Sequence, residues 1–165
     1  MTPSILFVCT GNICRSPLAE VAMRIEASKR GVTCDIDSAA TGRWNLNEAP
    51  DCRAQNIIQK YHPEYLPYMQ KLCSRQVSKQ DFSRFTHIVA LDQTHLNWLN
   101  KHKPLESKAK IISLLSYLPD IDEQEVPDPY FGSEKDFEYA WVLIEKACSK
   151  LATSVFRNKP LSSLQ

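Results

Sequence analysis

Cys9-Thr-Gly-Asn-Ile-Cys-Arg15-Ser16 lies between the apolar run Ile5-Leu-Phe-Val8 and a stretch that opens at Pro17. An unbroken apolar run fits a strand covered on both faces, as in a parallel sheet. Beyond Pro17, Leu18, Val21, Ala22 and Ile25 recur at the spacing of one helix face, and Gly31 stops the pattern. A buried strand, a loop of small residues and a helix therefore follow one another directly. In open α/β sheets, ligands bind at the carboxyl ends of the strands, which is where this loop falls.

The loop has the parts needed to hold a tetrahedral oxyanion such as phosphate against a sulfur nucleophile. Backbone N–H groups in a tight turn can converge on the anion's oxygens. The first helical turn adds unpaired N–H groups and the positive end of the helix dipole. Gly11 and Asn12 are residue types that tolerate unusual backbone angles. Arg15 carries a planar fork that grips two oxygens at once, which lysine cannot do. Ser16 is placed to cap the helix, and Pro17 suits its first turn. Positive surroundings favour thiolate at Cys9, and the thiolate is the nucleophile. Cys-x5-Arg alone is a weak pattern; the strand before it and the helix after it give it weight. The bland alternative is a buried strand-end cysteine followed by an ordinary capped helix.

A leaving group bound this way needs a proton, and Val126-Pro-Asp-Pro-Tyr-Phe-Gly132 offers one. The two prolines flanking Asp128 restrict its backbone and keep it out of helix and sheet. A rigid loop carboxyl beside aromatic residues suits a general acid. Taken without the Cys9 loop, the same residues read as an acidic turn before a helix.

The rest of the chain extends the strand–helix alternation. Residues 33–39 read as a second strand, 41–49 as a loop and 51–61 as a helix. Ser78-Lys-Gln-Asp81 resembles a capping box opening a short helix. Residues 87–91 form a third strand, after which Asp92 caps a helix running to about Asn100, and 110–114 form a fourth strand. The stretch 116–132 has no periodicity. Ser133-Glu-Lys-Asp136 opens a last helix with Phe137, Ala140, Trp141, Ile144 and Ala147 on its core face. The expected fold is α/β: a single-domain, doubly wound sheet of four parallel strands with helices on both faces and the phosphate loop after strand 1. The domain spans residues 1–156, and 157–165 read as a flexible tail.

The 165-residue length fits one domain with a real core, and 43% hydrophobic with 24% charged residues is an ordinary globular composition. A net charge of +1 argues against a strong pull on nucleic acid or membrane. The N-terminus lacks the features of a signal peptide, and no run approaches a transmembrane span. A cytoplasmic enzyme with its six cysteines reduced is expected. Cys34, Cys52, Cys73 and Cys148 form no Cys-x2-Cys pair and the histidines no ligand motif, so neither a metal nor another cofactor is expected. Cys14 reads either as a small residue that fits the loop or as a partner that captures oxidised Cys9.

Val8-Cys-Thr-Gly-Asn-Ile-Cys-Arg-Ser-Pro-Leu-Ala-Glu20 resembles the phosphate loop and first helix of the low-molecular-weight protein tyrosine phosphatases. Asp128-Pro129-Tyr130 resembles that family's general-acid loop, and Asp37-Ser-Ala-Ala-Thr-Gly-Arg-Trp44 its segment placing an aromatic beside the site. Ser74-Arg-Gln-Val-Ser78 and Val89-Ala-Leu-Asp92 are similar to further family stretches, in the family's order. The resemblance implies a cysteine-dependent phosphatase acting on phosphotyrosine proteins through a phosphocysteine. Cys9 would be the nucleophile. Arg15 and the amides of Thr10, Gly11, Asn12, Ile13, Cys14 and Arg15 would hold the phosphate. Asp128 would be the acid and then the base, and Ser16 a donor to the Cys9 sulfur. Asn12 would brace the loop, with Ser38 as a support. Trp44, Tyr130 and Phe131 would flank the substrate ring, and Cys14 would be the redox partner. Inorganic phosphate and other oxyanions would inhibit, and a monomer is expected.

The chain also departs from the family. A histidine common before the Arg-Gln pair is replaced near Leu72 or Cys73, and Cys52 stands where proline is common. The stretch 54–75 is longer than usual and reads as a surface loop or as a substrate-selecting rim. Three other functions fit parts of the pattern: an arsenate reductase on the same scaffold, a non-catalytic phosphate-binding module and a phosphocysteine carrier. The first needs a cysteine relay, for which Cys73 is the mid-chain candidate. The other two have no need of Asp128.

Overall fold

A computed structural model describes residues 2–156. The tail expected at 157–165 lies outside the described residues. Strand β1 (Ser4–Cys9) is buried along its whole length. It pairs in parallel with β2 (Asp35–Ala40) on one side and β3 (His87–Ala90) on the other, and β3 pairs in parallel with β4 (Lys110–Ser113). The order β2-β1-β3-β4 makes a four-stranded sheet with β1 inside it.

Strand periodicity divides β1 between two cores. Ile5, Phe7 and Cys9 face a cluster built with α1 (Arg15–Lys29) and α6 (Glu134–Val155). Leu6 and Val8 face a second cluster with Phe82 of α4 (Asp81–Arg84), Phe85 and Leu99 of α5 (Gln93–His102). Helices therefore cover both faces, as the continuous apolar run requires. On α6, Phe137, Ala140, Trp141, Ile144 and Ala147 are all buried. Chain direction across the sheet reverses between β2 and β3 on either side of β1. The loop after Cys9 thus sits at the switch point where such sheets form a crevice.

The box expected at Ser78 does not cap α4, whose N-cap is Gln80, and two further local readings change. Helix α1 starts at Arg15, with Cys14 rather than Ser16 in the N-cap position. Ser16 is inside the first turn, where its hydroxyl is free to serve the loop. The stretch 54–75 is neither a surface loop nor a rim. It holds α2 (Cys52–Tyr61), a 3-10 turn at Pro63–Tyr65 and α3 (Leu66–Gln70), with Met69 fully buried. Its prolines lie in first turns, where a missing N–H is harmless, so they start helical segments instead of breaking them.

Candidate active site

Cys9 ends β1 and is 3% exposed. Its Sγ lies 3.0 Å from Ser16 Oγ and accepts the Asn12 N–H at 3.3 Å. The loop's carbonyls are turned outward. Cys9 O, Thr10 O and Ile13 O accept from the N–H groups of Thr41, Gly42 and Asp51 at 2.9, 3.1 and 2.8 Å. Three loop peptides are thereby oriented by the neighbouring segment 41–51.

Asn12 has φ 58°, a left-handed conformation that asparagine tolerates better than most residues. Its side chain holds it there. Nδ2 donates to Ser16 Oγ at 2.7 Å and to Ser38 Oγ at 2.9 Å, and Oδ1 accepts from Arg75 N at 3.2 Å. Ser38 Oγ donates onward to Glu20 Oε1 at 2.7 Å, and Glu20 Oε2 accepts from the Tyr68 hydroxyl. Arg24 donates to the same hydroxyl and lies over the ring. Burial pushes the Glu20 carboxyl above its ordinary pKa, against the hydrogen bonds from Tyr68 and Ser38. The residues near Leu72 and Cys73 are not the source of this support: Tyr68 of α3 reaches Glu20 instead.

At two glycines a side chain of the turn after β2 approaches closely. A Cβ on Gly11 would sit 2.5 Å from Asn45 Oδ1, and one on Gly42 would fall on the Trp44 ring. Gly11, unlike Asn12, has no positive φ, so its role is space and not backbone angle. The Trp44 ring rests over Gly42 and is 75% exposed at the cavity edge.

Arg15 is 3% exposed and already oriented. Its Nη1 donates to Asp92 Oδ2 at 2.8 Å and to Val126 O at 2.9 Å, which leaves Nη2 facing Asp128 Oδ2 at 3.6 Å. Asp92 caps α5 by accepting from His95 N at 3.1 Å, while the Asp92 N–H donates to His95 Nδ1 at 3.2 Å. With Nδ1 accepting, the imidazole proton lies on Nε2, 2.8 Å from Thr10 Oγ1. Burial lowers the His95 pKa to about 4, against the pull of Asp92. Burial pushes Asp92 up, but His95 and the Arg15 hydrogen bond and charge hold it below the usual carboxylate range.

Asp128 sits at the mouth, its side chain about half exposed, with Oδ1 accepting from Tyr130 N at 3.1 Å. The cavity of about 390 Å³ is lined by Cys9, Thr10, Gly11, Ile13, Cys14 and Arg15 at its base and by Trp44, Asn45, Asp128, Tyr130 and Phe131 above. Tyr130 and Phe131 meet edge to face at 4.8 Å, and Phe131 is 94% exposed. The structure thus gathers the residues quoted from the two separated motifs around one depression, with Ser16 and Ser38 just behind it. Cys14 is buried, and burial followed by the Asp51 charge drives its thiol pKa far up. Among the described residues no group of three or more His, Cys, Asp or Glu is placed to hold a metal.

Sequence reasoning missed Glu20, Asp51, Arg53, Tyr68 and His95. Only Asp51 and His95 left a local trace, as residues near helix starts. The others reach partners on distant segments, although Arg53 is also gripped by Asp51 two residues away.

The sequence pattern that defines the low molecular weight phosphotyrosine protein phosphatases matches residues 4–161. YfkJ of Bacillus subtilis, a low molecular weight protein-tyrosine-phosphatase, is 36% identical over 160 residues, covering 96% of this chain and 99% of its own. The crystal structure of a protein tyrosine phosphatase from Entamoeba histolytica superposes with a TM-score of 0.86 at 31% identity, over 95% of this chain and 99% of that one. A Drosophila arginine phosphatase superposes with a TM-score of 0.82 at 29% identity, over 91% and 96% of the two chains. The chain belongs to the low molecular weight phosphotyrosine protein phosphatase family.

Proposed function

We propose that this protein hydrolyses phosphotyrosine in protein substrates in two steps through a phosphocysteine. Cys9 thiolate gives its electron pair to phosphorus. The P–O bond to the aryl group breaks, and the departing phenolate takes the proton of Asp128. Water then attacks the phosphocysteine and yields its proton to Asp128. The S–P bond breaks with its electrons returning to sulfur, and phosphate leaves. Arg15 and the loop amides from Thr10 to Arg15 hold the non-bridging oxygens, so the developing charge meets donors already in place. Ser16 stabilises the sulfur both as nucleophile and as leaving group. Asn12 and Ser38 keep the loop in shape for this. Trp44, Tyr130 and Phe131 flank the substrate ring.

One observation supports this reading most. The Asp128 carboxylate stands 3.6 Å from the Arg15 guanidinium in an aromatic-walled cavity whose base holds Cys9, paired to Ser16 at 3.0 Å. A binder of phosphate has no use for the acid. A cysteine relay for arsenate would draw on Cys73, which does not line this cavity. Inorganic phosphate and other oxyanions compete for the loop. The domain acts as a monomer in the cytoplasm; no described helix is long and apolar enough to cross a membrane. Cys14, beside Cys9 in the loop, is the partner for a disulfide when Cys9 is oxidised.

The test is turnover of matched peptides carrying phosphotyrosine, phosphoserine or phosphoarginine. The arginine phosphatase among the structural neighbours makes the last an informative competitor. Among the described residues Asp128 is the one carboxylate lining the cavity, and three aromatic rings form its wall. Phosphotyrosine is expected to exceed both others in kcat/KM by 100-fold or more, roughly the discrimination a shaped pocket provides. Preference for phosphoarginine would overturn the substrate assignment.

A further inference from the structure

Arg53 has no part in the chemistry above, yet its guanidinium joins the two halves of the site. Asp51 N-caps α2 and accepts from Arg53 N at 2.8 Å. The same carboxylate takes Arg53 Nε at 3.0 Å and Nη2 at 2.9 Å, a two-pronged grip that fixes the plane of the fork. The Asp51 N–H in turn donates to Ile13 O of the phosphate loop at 2.8 Å. From this anchored position Arg53 donates to Tyr130 O at 2.9 Å and to Gly132 O at 3.2 Å. Its Cζ lies 4.5 Å from the Phe137 ring centre and 5.7 Å from that of Tyr130.

These bonds fall where the acid loop has few of its own. Pro127 and Pro129 have no N–H to give, and the turn that follows Asp128 closes on itself through Gly132 N–H to Pro129 O at 2.9 Å. Below Asp128 the loop is pinned by Val126, whose N–H reaches Leu91 O at 2.9 Å and whose carbonyl takes Arg15. Above it, the Tyr130 N–H holds Asp128 Oδ1, and the Tyr130 carbonyl is held by Arg53.

We infer that Arg53 is a positioning residue for the general acid. With Asp51, it locks the Asp128 loop to the phosphate loop, so that the acid stays in register with the phosphate held over Cys9. The inference rests on Asp128 being the acid. Arg53 does not line the cavity and acts only through the loop that carries Asp128. Its loss lets Asp128 wander and weakens proton delivery, while attack by Cys9 and anion binding persist. Lysine can restore one contact but not the fork.

The experiment is single-turnover release of phenol from a series of aryl phosphates, from strongly acidic to ordinary phenols. It uses the intact protein, Arg53→Ala, Arg53→Lys and Asp128→Asn. Release of an ordinary phenol should fall about tenfold in Arg53→Ala, a strongly acidic phenol should fall less than about twofold, and Arg53→Lys should lie between. Asp128→Asn should show the same selective loss to a larger extent. An equal loss across the series in both Arg53 variants, or no loss, overturns the inference. A flat profile in Asp128→Asn overturns the general-acid reading and the inference with it. Should Arg53→Ala fail to fold, Arg53→Lys alone decides by the same criterion.

Discussion

His95 is fully buried between the Asp92 cap and Thr10, with Arg15 and Asp128 as the other charges acting on it. Its proton count makes the site sensitive to acid. In the folded chain its pKa is lowered to about 4, against 6.5 for an ordinary histidine. Between those values the unfolded chain binds a proton that the folded chain does not. Stability is therefore full above about pH 6.5 and is lost as pH falls toward 4, by up to about 3 kcal/mol for this group. The depressed Asp92 carboxyl acts in the same sense at the acid end of the range. Urea unfolding from pH 4 to pH 7 checks this: His95→Gln, which keeps a neutral polar group, is expected to flatten the slope seen in the intact protein. Equal slopes would contradict the assignment. Cys9, Arg15 and Asp128 were legible in the sequence because their side-chain chemistry is distinctive and their neighbours in the chain define the context. Glu20, Arg53, Tyr68 and His95 were not, since what each does for the site depends on a partner on another element. His95 meets Thr10 across 85 positions, and Tyr68 meets Glu20 across 48.

Elements with a full period were legible in the same way. The strand at 87–91 and the helix opening at Ser133 were placed to within a residue because apolar pattern and cap agree. Helix α3 is five residues long and contains Pro67, so no period forms and composition suggests a loop. Its burial comes from α2, α1 and the core, which no local rule contains. The turn after β2 carries Trp44, which is proposed to flank the substrate ring. The Trp44 ring rests on Gly42, and a methyl there has to displace it. Gly42→Ala is expected to leave the melting temperature within a few degrees, because Trp44 is largely exposed. It should raise KM for a phosphotyrosine peptide about fivefold, the worth of roughly 1 kcal/mol of aromatic contact. An unchanged KM would remove Trp44 from the substrate wall.

At the scale of the whole molecule, the parallel sheet brings three distant segments to one end. The carboxyl end of β1 delivers the Cys9 loop, the end of β3 leads to Asp92 and His95, and the stretch before α6 returns over them with Asp128. The order of motifs along the chain made this architecture legible, because strands alternating with helices allow few arrangements. How the loops are joined was not legible. Asp51 and Arg53 tie the Cys9 loop to the Asp128 loop by the Asp51 N–H and the Arg53 side chain, bonds that leave no periodic trace. In the proposed reaction phosphate passes through the Cys9 sulfur. The direct measurement is to quench the protein with acid during turnover of a phosphotyrosine peptide and determine the mass and site of any attached phosphate. Phosphate is expected on Cys9 in the intact protein, with neither adduct nor turnover in Cys9→Ala. Steady hydrolysis by Cys9→Ala, or phosphate attached to another residue, would contradict it.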